Sequence, residues 1–370
     1  MPLLHRESHP GGSPPRVRPG RDCRPARRGP LPGPLEPQGA IALLVLGGPL
    51  DHARRGSRGV EAALRRTPDR GAGDARVRHR APEQVRHRPG AAVLSAIAEA
   101  VEQGLVGGRL WLYTNYHCNL TCSYCLTDSG PLALRRELPL ATLPEIAAEA
   151  RAAGFTTLGV TGGEPFLLPG LPDALAKTSA ILPTLVLSNG TLFTPALLAR
   201  LAPLADLDLR VQISLDSAEP AENDEMRGPK NFARVVVAVP RLRGLGIPVR
   251  IATTSEGLEP DALGRLCQLH RSLGVPDEDH VVRPIVRRGR AVDHGLGIRA
   301  AVGDLPPELT LTADGAFWSP FGPTVHGGRL DTDLLLTRTT RPLSIPVDAM
   351  LQVVGTSVGS EPGSDHLKIC

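Results

Sequence analysis

Cys118, Cys122 and Cys125 place three thiols within eight residues, spaced C-x3-C-x2-C in the run WLYTNYHCNLTCSYCLTD at 111–128. Loop cysteines this close can point at one centre, and no disulfide pairing uses three of them. Structural zinc sites are usually built from two C-x2-C-like pairs that supply four ligands. No fourth Cys or His stands at such a spacing here. Three thiolates instead suit a cubane iron–sulfur cluster with one iron left open, because thiolates are its usual protein ligands. An open iron is a place for chemistry. A partial zinc site and chance spacing are the competing readings.

A second group follows 37 residues after Cys125: Gly162-Gly163-Glu164-Pro165, in LGVTGGEPF. Adjacent glycines let backbone come close to a ligand, since neither has a Cβ. The cysteine stretch, with Tyr124 directly before its third cysteine, and this turn together resemble the signature of the radical S-adenosylmethionine (SAM) enzymes. The resemblance covers roughly residues 108–290. It implies a single 4Fe-4S cluster on Cys118, Cys122 and Cys125 whose open iron binds the amino and carboxylate groups of SAM. It also implies cleavage of SAM to methionine and a 5′-deoxyadenosyl radical, which abstracts hydrogen from a substrate. Glu164 would accept from the SAM ammonium, a charge-assisted hydrogen bond, in a turn formed with Gly162, Gly163 and stiffened by Pro165. Tyr124 would pack beside the cluster and exclude water, or simply fill core. An electron donor such as flavodoxin or ferredoxin is implied as a partner.

Further candidates sit where strands are expected to end. Ser188 and Asn189 follow one strand, where the family often places groups reaching the SAM carboxylate. Ser214 and Asp216 follow the next; with Leu215 facing the other way, they suit a strand end pointing into a barrel mouth. Both pairs could equally be polar caps of strand ends. Gln212, Arg250 and Arg283 are weaker candidates. Arg227, in NDEMRGPKNF, is expected to order a loop by ion pairing. The stretch LTLTADGAFWSPFG, with Asp314-Gly315 as a hairpin turn, resembles the start of the extension that carries auxiliary clusters in peptide-modifying members. Here the matching place reads Trp318-Ser319-Pro320 without a cysteine, so no auxiliary cluster is expected. His326 and Arg329 are loop candidates for substrate contact. The barrel resembles both the molybdenum-cofactor GTP-cyclising and the peptide-maturing branches, which leaves a small molecule or a peptide as substrate. A non-catalytic iron–sulfur protein for electron transfer or iron sensing is the rival reading.

These residues need a scaffold that brings several strand ends together, and the chain supplies an alternating one. Strands are expected at 109–115, 156–161, 184–188, 207–215, 249–254 and 280–286. Helical periodicity marks 91–104, 139–153, 232–245 and 261–273. Alternation predicts βα units and a parallel sheet, and in such architectures the site lies at the carboxyl ends of strands. The fold class is α/β: a partial (β/α)6 TIM-like barrel over 91–290, a small C-terminal α+β cap over 291–370, and an N-terminal arm.

That arm accounts for the charge. Residues 1–90 hold 18 Arg, no Lys and 8 acidic residues, leaving 24 basic and 30 acidic residues in the other 280. Charge therefore gives no support to nucleic-acid binding by the catalytic part. With 14 Pro and 13 Gly in 90 residues, the arm cannot bury enough apolar surface to offset the entropy of ordering. It reads as disordered, or as sequence translated upstream of the true start. No stretch reaches the ~18 apolar residues of a membrane span, and a low-potential cluster needs a reducing compartment, which fits the cytoplasm.

Overall fold

The computed structural model describes residues 90–357; the expectations for residues 1–89 lie outside them. Helix α1 (Gly90–Glu102) leads into β1 (Arg109–Tyr113), and strands and helices then alternate: α2 (Leu143–Ala152), β2 (Thr157–Thr161), α3 (Leu171–Ser179), β3 (Thr184–Ser188), α4 (Pro195–Leu201), β4 (Leu209–Ser214). Two helices follow β4, α5 (Pro220–Arg227) and α6 (Asn231–Gly244), before β5 (Val249–Ser255), α7 (Pro260–Ser272) and β6 (His280–Pro284). The six strands lie side by side in chain order, every neighbouring pair parallel. Their carboxyl ends therefore share one rim.

Local sequence sets the helix starts. Pro144, Pro172, Pro195, Pro220 and Pro260 fall in the first turns of α2, α3, α4, α5 and α7, where a missing N–H costs nothing. Thr194 caps α4 by accepting from the Leu197 amide at 3.3 Å. The expected helix at 139–153 begins later, because a separate 3₁₀ turn occupies Leu140–Thr142. The loop expected around Arg227 is instead α5, opened by Pro220 and closed at Gly228.

The C-terminal segment extends the same sheet. β7 (Thr310–Thr312) pairs parallel with β1 on the side away from β2, and β8 (Gly315–Phe317) returns antiparallel through the expected Asp314-Gly315 hairpin. A two-stranded ribbon of β9 (Val325–His326) and β10 (Arg329–Leu330) comes next. Then β11 (Leu335–Thr337) adds to β8, and α8 (Ser344–Ser357) packs on α1. One apolar core joins α1, α2 and α8 to β1, β2, β7 and β8; a second fills the space between β2–β5 and α3, α4 and α6. Trp111, Phe317 and Phe321 anchor a third, smaller core.

One pair outside the site has a consequence for stability. His270 on α7 is fully buried, meets the His280 ring edge-to-face at 4.3 Å, and has no hydrogen-bond partner on either nitrogen among the described residues. Burial holds His270 down to about 3 and His280 down to about 4, from an ordinary 6.5. Both folded values lie below the unfolded value, so the unfolded chain binds more protons as pH falls below 6.5 and the native state loses ground. Between pH 7 and pH 5 the unfolding free energy is expected to drop by about 2 kcal/mol through His270, with a smaller share from the less deeply buried His280. Urea titrations at the two pH values should show this drop in the wild type and most of it missing in His270→Leu. An equal slope in both proteins contradicts the assignment.

Candidate active site

The loop after β1 is built to lie against the turn after β2. Thr114 and Asn115 continue β1 fully buried, and the Thr114 amide donates to Thr161 O at 2.8 Å. The amides of Gly163 and Glu164 donate to Asn115 O and His117 O, both at 3.0 Å. Asn115 Nδ2 returns a bond to Glu164 O at 3.0 Å. This contact explains the glycines. A Cβ on Gly163 would stand 2.1 Å from His117 O, and one on Gly162 (φ +151°) 2.5 Å from Asn115 O.

Cys118, Cys122 and Cys125 share the wall of one cavity of about 180 Å³ with Gly162 and Gly163, at the common rim of the strands. Tyr124, Ser188, Asn189 and Ser214 line it as well, as do Thr254 and Arg283, which the sequence motifs did not single out strongly. Its apolar lining includes Tyr113, Leu187, Ile285, Val286 and Phe321. The Arg283 guanidinium donates through Nε to Thr254 Oγ1 at 2.9 Å. Gln212, Arg250, His326 and Arg329 are not among the lining residues; His326 pairs with Asp293 at 2.7 Å on the exposed β9–β10 ribbon side.

The sulfurs are already dressed with donors. Cys118 Sγ accepts from the Leu120 amide at 3.4 Å and from Asn189 Nδ2 at 3.5 Å, and Cys125 Sγ from the Ser129 amide at 3.3 Å. Burial nevertheless pushes the Cys118 thiol up to about 12 and Cys122 to about 11. Metal loading must therefore displace protons. Among the described residues no three Cys, His, Asp or Glu side chains converge as the ligands of a single ion do. Sulfurs spread around one cavity fit a cluster of several irons, each thiolate taking one. Asn115 Oδ1 is buried beside Gly162 without a hydrogen-bond partner among the described residues.

Glu164 is not among the residues that line the cavity. Its side chain is fully buried and turned into the protein: it accepts from the Asn189 amide at 2.7 Å, the Phe166 amide at 3.1 Å and Ser188 Oγ at 3.1 and 3.2 Å. Burial lifts its pKa to about 7 against the pull of those donors. The carboxylate thus ties the turn after β2 to the end of β3, while Pro165, also buried, opens the 3₁₀ turn that Glu164 caps. The Asp216 carboxylate likewise sits behind the wall. Its oxygens accept from the Thr254 amide at 2.8 Å, from Arg227 Nη1 at 3.0 Å and from the Tyr124 hydroxyl. Arg227 also donates to that hydroxyl, so Tyr124, Asp216 and Arg227 form one buried unit behind the cluster loop.

Arg290 has no counterpart among the sequence candidates. It donates to Cys122 O at 2.8 Å and Ser129 O at 2.7 Å, pairs with Asp128 at 2.8 Å, and its amide donates to Cys125 O at 2.9 Å. One guanidinium thus clamps the whole segment that carries Cys122 and Cys125. In the sequence it was one of several arginines in VVRPIVRRGRA, and nothing local distinguishes it.

Comparison with known proteins agrees with this geometry. Residues 112–259 match the family model described as the Radical SAM superfamily. The PqqA peptide cyclase of Ruegeria pomeroyi is 34% identical over 164 residues, 43% of this chain and 42% of that protein. The AdoMet-dependent heme synthase of Methanosarcina barkeri is 29% identical over 42% of this chain and 45% of its own length. The mycofactocin maturase MftC of Mycobacterium ulcerans is 34% identical over 35% of each chain. The chain thus spans less than half the length of these curated relatives. Among solved structures, Streptococcus suis SuiB bound to precursor peptide SuiA aligns with TM-score 0.42 and 18% identity over 52% of this chain and 43% of that one. Residues 112–259, the stretch that matches the radical SAM superfamily model, contain both the three cysteines and the Gly-Gly-Glu-Pro turn.

Proposed function

We propose that this chain is a radical SAM enzyme acting on a small molecule or a peptide, in cofactor biosynthesis or peptide maturation. The observation that carries the reading is the shared cavity of Cys118, Cys122, Cys125 and the Gly162–Gly163 backbone. Cys118, Cys122 and Cys125 would hold a 4Fe-4S cluster, which would supply the electron for reductive cleavage of SAM and so for hydrogen abstraction from a substrate. The protein's part is to hold, orient and exclude water. Cys118, Cys122 and Cys125 hold three irons; the Gly162–Gly163 backbone, Ser188, Asn189, Ser214 and Tyr124 form the wall against which SAM lies. Glu164, Pro165 and Asp216 shape that wall from behind. The apolar lining from Tyr113, Leu187, Ile285, Val286 and Phe321 keeps water from the radical, and Arg283 offers the substrate a cationic contact. The peptide cyclase and maturase among the relatives support a peptide substrate, and the heme synthase a small one. Among the described residues no helix is long and apolar enough to cross a membrane; a reducing cytoplasm is the compartment the cluster favours.

SAM binding to the anaerobically reconstituted protein, followed by equilibrium dialysis, tests this reading. Stoichiometric binding that requires the cluster is expected. An intact cluster without SAM binding overturns the proposal in favour of an electron-transfer or sensor protein. Glu164→Gln refines the test. A carboxamide turns an N–H₂ toward donors that need acceptors, at a cost of about 1–3 kcal/mol. The variant is expected to keep its cluster, melt a few degrees lower and bind SAM roughly tenfold more weakly as the turn shifts. Unchanged affinity would show that the turn does not depend on this carboxylate.

A further inference from the structure

β1 and β6 are the first and last of six neighbouring strands and are not bonded to each other, so no ladder joins the two ends of the barrel. The segment after β6 bridges them instead. Gly289 and Arg290 open a 3₁₀ turn over Gly289–Val292, and this turn lies directly on the cluster loop that follows β1. Gly289 has φ +58°, and a Cβ there would stand 2.2 Å from Leu126 O and 2.5 Å from Cys125 O. Backbone this close to backbone leaves room only for glycine. Arg290 itself lies outside residues 112–259.

From that turn Arg290 reaches all three cysteines by short paths. Nη1 donates to Cys122 O at 2.8 Å, and the backbone amide to Cys125 O at 2.9 Å. Nη2 donates to Ser129 O at 2.7 Å and pairs with Asp128 at 2.8 Å. Asp128 has φ +47°, a left-handed conformation that costs a residue with a side chain energy and persists where the surroundings enforce it. Arg290 grips this turn at both the Asp128 carboxylate and the next carbonyl. The turn in its place sends the Ser129 amide to Cys125 Sγ at 3.3 Å and the Gly130 carbonyl to the Cys118 amide at 3.2 Å. A partly exposed ion pair alone would be worth little; the Arg290 and Asp128 side chains are 16% and 25% exposed. Two carbonyls of the cluster loop, gripped by the same planar fork, are what set Arg290 apart.

Resting on the radical SAM reading above, we propose that Arg290 is a positioning residue for the cluster. It holds Cys122, Cys125 and the Ser129 amide in the arrangement that retains the cluster and sets its reduction potential. Partners behind metal ligands tune affinity in this way. A donor on a ligand sulfur also stabilises the extra negative charge of a reduced cluster, which raises the potential.

The test compares the full-length, anaerobically reconstituted wild type with Arg290→Met and Arg290→Lys. The lysine keeps the charge but lacks the fork that spans two carbonyls. Two readouts are taken without SAM or substrate: the rate at which a ferrous-iron chelator strips the protein, and the midpoint potential in a titration followed by electron paramagnetic resonance. Iron loss is expected to be about tenfold faster in Arg290→Met, and to lie between that and the wild type in Arg290→Lys. The potential is expected to fall in both. At a fixed solution potential the ratio of reduced to oxidised cluster should drop about tenfold in Arg290→Met, equivalent to about 59 mV for one electron, and by less in Arg290→Lys. Circular dichroism of the iron-free proteins should coincide. If Arg290→Lys matches the wild type in both readouts, charge alone suffices and the positioning role is overturned. It is also overturned if both variants keep wild-type iron retention and potential and merely melt lower, which is how a purely structural residue behaves. Should Arg290→Met fail to fold, Arg290→Lys decides by the same two readouts. Failure of the wild type to bind or cleave SAM would count against the enzyme reading alone, because neither readout uses SAM.

Discussion

Cys122→Ala is expected to fold normally and to lose the cluster. Cys122 lies in a segment held by Arg290 through Cys122 O and Ser129 O and by the Ser123 amide on Met226 O. None of these bonds needs the thiol, whose own contact is a weak 3.6 Å approach to Arg227 O. Iron content and the brown absorbance of the reconstituted protein should fall to background. SAM cleavage should drop by more than about 100-fold, beyond the loss typical of an outer-shell partner. Circular dichroism and melting of the iron-free proteins should coincide. A variant that keeps full colour and activity means that the ligand set is wrong.

Asp216→Ala is expected to unfold more readily than any surface substitution. Asp216 and Arg227 have side chains 0% and 5% exposed, so removing one partner strands the other's charge in the interior. Breaking such a pair typically costs about 3–5 kcal/mol, which corresponds to a fall in Tm of about 10 °C in a chain of this size. The Thr254 amide and the Tyr124 hydroxyl lose an acceptor as well. The double variant Asp216→Leu/Arg227→Met should be less destabilised than Asp216→Ala, because no unpaired charge remains. Thermal melts of the three proteins check this order. A loss below about 1 kcal/mol in Asp216→Ala would be the behaviour of a solvent-screened pair and would contradict the buried geometry.

What could be read in the sequence was local. The six strands were legible because each is a short apolar run ending in a turn signal, and the three cysteines because their chemistry needs no partner elsewhere in the chain. Gly162 and Gly163 were legible as a place of close approach, although His117 O, which they approach, was not. The direction of the Glu164 carboxylate was hidden, since the Asn189 amide that draws it inward comes from the end of another strand. The partners of Asp216 were hidden for the same reason, being supplied by α5, β5 and the cluster loop. β7 was read as part of a cap, yet it pairs with β1 about 200 residues earlier, a contact no local pattern encodes.

In the proposed function, the wall shared by the three cysteines and the Gly-Gly-Glu-Pro turn presents SAM to a reducible cluster. The most direct measurement is chromatography of the products after anaerobic reconstitution, addition of SAM and reduction with dithionite, with Cys122→Ala alongside. 5′-Deoxyadenosine and methionine are expected in equal amounts from the wild type, and neither from the variant. A wild-type protein with a full cluster and bound SAM that yields no 5′-deoxyadenosine, even when offered candidate peptides and small molecules, would contradict it.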